Sequence, residues 1–228
     1  MGPDERKLLM NSEVEKITII ISSADHPINP VIAEWVSRRP DRERVDIVRN
    51  PEQAVGGDIC FLISCTDIVP KTVLRRYSHA LVIHASDLPE GRGWSPHIWG
   101  ILNGAEDIVM SLLEAAEKVD TGDIWKKYSY KIPKHFLYED IIKVVNQGHI
   151  DLMNFAVANY YTVQPKRQSE ETFPTYFPKR APSDSQISPF KSIAEQFDLL
   201  RVCDKNRFPS YFYLHGKKYR ILIERDDD

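Results

Sequence analysis

The stretch that most constrains this chain runs from Val82 to Ile124. It opens within a short apolar run, Ala80-Leu81-Val82-Ile83, which is bounded by a loop rich in Pro and Gly (Leu88-Pro89-Glu90-Gly91-Arg92-Gly93-Trp94-Ser95-Pro96). Such a run between turn signals reads as a buried strand, which puts His84 at the strand's end. In α/β proteins the chemistry gathers at strand ends. Asp120 stands at a second such junction, after the apolar run 107–113 and before Ile124-Trp125. An imidazole and a carboxylate so placed suit acid/base work. Taken alone, each residue has a plainer reading. A strand-end His is commonly structural, and the Asp of Asp120-Thr121-Gly122 is a turn former that bonds its own backbone.

The rest of the chain supplies strands and helices in alternation. Lys16 to Ser22 is rich in β-branched residues and reads as a buried first strand. Asn29 is placed to cap a helix starting at Pro30, with Ile32, Trp35 and Val36 as its apolar face. Arg44–Val48 and Asp58–Ser64 read as further strands, with a short turn or helix at Asn50-Pro51-Glu52 between them. Residues 67–74 open a helix, Pro96–Asn103 forms another, and Asp107–Leu113 and Tyr128–Ile132 are strands. Tyr138–Tyr160 is a long amphipathic helix in which Gly148 marks a break. This order argues for a parallel sheet. Residues 164–182 form an irregular connector with four prolines. A helix over Ser192–Leu200 follows, then a hairpin of Tyr211–Leu214 and Lys218–Ile223 around His215-Gly216-Lys217.

A chain of 228 residues suits one α/β domain with an extension, and its boundaries fall at 10–163 and 164–228. Net charge is −3 without a basic tract, which argues against a nucleic-acid partner. Cys60, Cys65 and Cys203 form no CxxC and no disulfide framework, consistent with a reducing cytoplasm. No apolar run reaches the length of a membrane span. The histidines show no metal-ligand spacing, so no metal is expected. No GxGxxG follows the first strand, which argues against a generic dinucleotide-binding domain. The charged start (Asp4, Glu5, Arg6, Lys7) is not a secretory signal, and Met10 reads as the natural first residue.

His84, Ser86, Leu88, Pro89, Arg92, Gly93 and Pro96, followed 36 positions after the His by Asp120, Thr121, Gly122 and Ile124, resemble a known signature. It is that of the 10-formyltetrahydrofolate-dependent formyltransferases, the family of methionyl-tRNA, glycinamide ribonucleotide and sugar-amine enzymes. Weaker similarity at Arg180, Pro182, Asp184, Ile187 and Arg201 extends the resemblance over most of the chain. It implies an α/β, Rossmann-like formyltransferase fold with a mostly parallel sheet and a small C-terminal helix-plus-hairpin extension.

The resemblance also implies an activity: transfer of the formyl group of 10-formyltetrahydrofolate, the co-substrate, to a primary amine. His84 would meet the oxyanion and Asp120 would accept the amine proton. Ile68, Val69, Pro70, Leu88, Val119 and Gly122 would contact the folate. Ser86, Arg92, Trp94 and Arg180 are the candidate acceptor-binding residues; Arg180 either reaches a diphosphate or pairs with Asp184. One residue departs from the pattern. Where the family carries Asn two positions before the His, this chain has Val82. Asn103 is a candidate substitute amide.

Among the branches of the family, the methionyl-tRNA enzymes have a further C-terminal domain, whereas this chain is acidic and ends in Asp226-Asp227-Asp228. The loop Ser22-Ser23-Ala24-Asp25-His26-Pro27 lacks the glycines of the ribonucleotide branch. The expected acceptor is therefore a small-molecule amino sugar, nucleotide-linked, as in glycan biosynthesis, with the pseudaminic acid pathway enzyme as one similar member. A homodimer stays open. Two other classes stay open as well: a formyltetrahydrofolate hydrolase, and a non-catalytic folate or sugar binder in which Val82 marks lost chemistry.

Overall fold

The computed structural model describes residues 14–41 and 43–226; the start read at Met10 lies outside them. Their elements, in chain order, begin with strand β1 (Lys16–Ile20), helix α1 (Asn29–Ser37), β2 (Arg44–Val48), a 3₁₀ turn at Pro51–Gln53, and β3 (Gly57–Leu62). Helix α2 (Lys71–Leu74), β4 (Tyr77–His84), the two-residue β5 (Arg92–Gly93), α3 (Pro96–Leu102), β6 (Asp107–Glu114) and β7 (Ile124–Lys131) follow. The long α4 (Tyr138–Ala158), β8 (Tyr176–Phe177), a 3₁₀ turn at Pro182–Ser185, another at Ala194–Gln196, α5 (Phe197–Arg201), β9 (Tyr211–Leu214) and β10 (Lys217–Arg220) complete the order.

Six strands form one sheet in the order β2-β1-β3-β4-β6-β7. The pairs β1–β2, β1–β3 and β3–β4 are parallel, while β4 and β6 are antiparallel, with His84 opposite Ser111 and Val82 opposite Leu113. This is the expected Rossmann-like, mostly parallel arrangement. Ile17, Ile19 and Ile20 of β1, Ile59 and Phe61 of β3 and Leu81 of β4 are fully buried. Strands buried on both faces read as continuous apolar runs, which is why they were visible in the sequence.

Contacts divide the chain into two units. The first comprises the described residues up to His84, with Ser111–Lys127 and His149–Ser169; the second comprises Ala85–Met110, Tyr128–Gly148 and the residues from Glu170 onward.

Several local expectations are revised. Asn29 is not the cap of α1: Ile28 holds that position, and the Asn29 amide instead donates to the carbonyls of Ser23, Ala24 and His26, closing the loop after β1. Helix α4 runs unbroken through Gly148. The glycine is there for space, because a Cβ would fall 2.6 Å from Met110 Cγ. β7 begins at Ile124 rather than Tyr128. The helix expected over Ser192–Leu200 is a 3₁₀ turn followed by the short α5. The hairpin turns at His215-Gly216, both with positive φ (49° and 72°), the geometry of a two-residue turn matched to strand twist. Among the described residues, no helix is long and apolar enough to cross a membrane, and no group of three His, Cys, Asp or Glu residues could hold a metal ion. Cys60, Cys65 and Cys203 are free thiols.

Candidate active site

In the first unit, β4 carries His84 as its last residue. The Asp120 turn lies between β6 and β7. The fold brings the two together: His84 Nδ1 lies 3.5 Å from Asp120 Oδ1, with side chains only 9% and 6% exposed. That separation exceeds a tight hydrogen bond. Exclusion of water strengthens the attraction between a buried imidazole and carboxylate.

The Asp120 turn is tightly specified. Asp120 has φ +56°, a left-handed conformation that Asp tolerates better than most residues. Thr121 Oγ1 donates to Lys118 O at 2.8 Å. A Cβ on Gly122 would fall 1.8 Å from Glu114 O, so only glycine lets the turn lie against the end of β6. Gly122 thus serves backbone packing, whatever it offers a ligand. The Gln168 amide donates to Asp120 O at 2.8 Å and to Gly122 O at 3.0 Å. Gln168 was not singled out in the sequence; its place in a proline-marked connector has no periodic signal.

The segments named for the folate are also partly brought together in this unit. Ile68 is 83% exposed and Val119 61% exposed. Their loops are tied by an ion pair between Lys71 and Glu117. Val69 is half-buried against the core cluster around Ile20, Leu62 and Val73, and Pro70 caps α2. Val82 packs on the same cluster. The position where the family has a carboxamide is here a lined apolar site.

The remaining candidates belong to the second unit. Ser86 Oγ donates to Glu90 O at 2.7 Å, so it shapes its own loop. Leu88 is buried at 2%, leaving its backbone as what it can offer a ligand. Strands β5 and β8 pair in parallel, setting Arg92 beside Tyr176 and Gly93 beside Phe177. Arg92 donates to the Tyr176 hydroxyl at 3.1 Å. Trp94 is 39% exposed with Lys179 Nζ 4.7 Å from its ring centre. Arg180 is buried, donates to Ser185 Oγ at 3.2 Å and lies 5.4 Å from the Phe208 ring. It meets the carbonyl of Asp184, not its carboxylate, which accepts from Ala181 N at 2.6 Å. Asn103 is the exposed residue that ends α3 in this second unit.

Two hollows of about 380 and 470 Å³ also open on the surface, one beside Gln196 and Lys191, the other beside His26 and Arg49. Neither is lined by His84 or Asp120.

Comparison with known proteins places this geometry in context. A methionyl-tRNA formyltransferase from Rickettsia bellii is 29% identical over 206 residues, covering 89% of this chain and 64% of that protein. The chain thus spans less than two thirds of that relative's length. A methionyl-tRNA formyltransferase from Clostridium thermocellum superimposes with a TM-score of 0.75 at 19% identity, covering 91% of this chain and 97% of the other. A sugar N-formyltransferase from Shewanella sp FDAARGOS_354 does so with a TM-score of 0.71 at 16% identity, covering 93% and 98%. At those identities the likeness is one of fold. The profile of the Formyl transferase family matches residues 10–153, well over half of the chain, and the chain belongs to that family.

Proposed function

We propose that this chain is an N-formyltransferase that moves the formyl group of 10-formyltetrahydrofolate to the primary amine of an amino sugar carried on a nucleotide. The observation that carries the reading is the buried His84–Asp120 pair at the end of β4, in a chain of this family. The amine nitrogen attacks the formyl carbon, and the carbonyl electrons move onto oxygen. His84 donates a hydrogen bond to that oxyanion, a type of interaction worth roughly 2.7–4 kcal/mol in the transition state. Asp120 accepts the proton that the amine sheds, directly or through a water. Collapse of the tetrahedral centre breaks the bond to N10 of the folate, which takes up the proton that Asp120 received and leaves as tetrahydrofolate.

The residues fit a folate. A pterin needs apolar contact on its faces and hydrogen bonds on its edge. Ile68 and Val119 offer exposed apolar side chains on two tied loops, and residues 68–70 offer irregular backbone. For the acceptor, the similarity in fold to a sugar N-formyltransferase supports a sugar amine. The exposed Trp94 and the neighbouring Lys179 and Arg92 have the aromatic and cationic chemistry that a nucleotide requires.

The sequence relatives are named for methionyl-tRNA, so that acceptor belongs in the test. Tetrahydrofolate release from 10-formyltetrahydrofolate would be measured against a panel of nucleotide-linked amino sugars and methionyl-tRNA, with His84→Ala as control. Release that requires a sugar amine and vanishes in the variant supports the reading. Release that requires methionyl-tRNA overturns the acceptor; release with no amine makes the chain a formyltetrahydrofolate hydrolase. Val82 favours a second reading, a non-catalytic binder, because an apolar side chain packed on an apolar cluster stands where the family pattern has Asn. Folate binding without turnover on any acceptor would establish it.

A further inference from the structure

We infer that Gln168 is a positioning residue for Asp120; this rests on the reading of Asp120 as the proton acceptor. The Gln168 carboxamide nitrogen carries two protons, and two carbonyls of the Asp120 turn receive it: Asp120 O at 2.8 Å and Gly122 O at 3.0 Å. These are main-chain atoms of the very residue whose carboxylate faces His84, and of its second neighbour. A turn residue at φ +56° is held there only if its surroundings prescribe it.

Two sides of the turn are prescribed. On one, Gly122 presses against Glu114 O, and Glu114 N donates to Asp123 O at 2.9 Å. On the other stands Gln168. The connector that brings it is itself in register, because Ile124 and Lys166 exchange both backbone bonds, Ile124 N to Lys166 O at 2.7 Å and Lys166 N to Ile124 O at 2.8 Å. Gln168 lies two residues beyond that bridge. A leucine of similar size would fill the space and leave both carbonyls without this donor. The peptide plane between Asp120 and Thr121 could then turn, and the carboxylate would swing off His84. A glutamate would set carboxylate oxygens against two carbonyl oxygens and do the same by repulsion. On this account Gln168 acts through the backbone of the turn and not on any reacting atom.

The test uses the full chain with ¹³C-labelled histidine, read by NMR at one fixed pH. The His84 ring signals are assigned by their loss in His84→Gln. Asp120→Asn is expected to shift them, and Gln168→Leu and Gln168→Glu are expected to shift them too at little-changed thermal midpoint. Lys166→Ala, in the same connector but bonded there through its backbone, leaves them in place. A merely structural Gln168 would lower the midpoint and leave the His84 signals of the folded protein where they were. If Asp120→Asn shifts the signals and neither Gln168 variant does, the inference is overturned while the pair stands. If Asp120→Asn shifts nothing, the pairing of His84 with Asp120 falls, and the inference with it. Should Gln168→Leu fail to fold, Gln168→Glu, which keeps volume and polarity, decides the question.

Discussion

Gly122 lies against Glu114 with no room between them: a Cβ on the glycine would sit 1.8 Å from the Glu114 carbonyl oxygen. That contact is backbone on backbone, so no side chain can move aside. It sets the height of the Asp120 turn above the end of β6. Gly122→Ala is expected to lower stability by about 1–3 kcal/mol, the usual range for overpacking. It should also cost transfer activity beyond that, because the turn must lift with Asp120 on it. Denaturant unfolding and folate release, measured side by side, check this. Full activity in a folded Gly122→Ala protein would show that the turn has slack the structure does not display.

The buried pair makes a sharper kinetic prediction. His84→Ala removes the proposed oxyanion donor and should lower kcat by about 10²–10³, the loss seen when one such donor is removed. Asp120→Asn keeps the shape but not the proton acceptor, and is expected to cost a similar factor. The two losses should not add, since both residues serve one proton-coupled step. Thermal midpoints taken alongside establish that the variants are folded. An unchanged kcat in either single variant would remove that residue from the chemistry.

Much of this arrangement was legible in the sequence, for physical reasons that can be named. β1, β3 and β4 lie inside a sheet, and their Ile and Leu runs announce it; Ile32 and Trp35 recur at helical spacing because α1 buries one face. The resemblance around His84 and Asp120 located the pair, which the structure brings within 3.5 Å. What escaped depends on contacts between distant parts of the chain. Gly148 looked like a helix breaker because the space it leaves for Met110 has no local signature. Asn29 sits at a helix start, yet its amide serves the preceding loop. Gln168 reaches back 48 residues from a connector that carries no periodic pattern.

Val82 offers a direct test of the missing amide. It is half-buried on the cluster of Ile20, Leu62 and Ala80, and pairs across the sheet with Leu62 and Leu113. Val82→Asn brings a carboxamide into this apolar setting, and is expected to cost about 1–3 kcal/mol of stability if the group goes unbonded. In return it restores the donor that the family pattern places on the His84 face, and transfer should become faster. A folded variant with no gain in kcat would mean that the reaction here uses another donor or none.

The last prediction concerns acid stability in the C-terminal region. Asp204 is buried, and burial by itself disfavours its charge. The bonds it accepts prevail: Arg207 Nε at 2.7 Å, Asn206 N at 2.8 Å and Arg207 N at 3.2 Å hold its carboxyl below the usual range. Arg207 in turn donates to the Tyr138 hydroxyl at 2.9 Å, at the start of α4. A carboxyl whose folded pKa is depressed stabilises the fold above its unfolded pKa of about 3.9. That contribution fades as pH falls through the depressed folded value. Asp204→Asn should therefore lower stability near neutrality, by about 1–3 kcal/mol for a lost charge-assisted bond. Below pH 4 the gap between variant and parent should begin to narrow, because the unfolded chain's carboxyl protonates first, and it closes further once the pH passes the depressed folded value. Urea midpoints measured from pH 7 down to pH 3 read this directly, and a gap that stays constant with pH would assign the loss to shape rather than to charge.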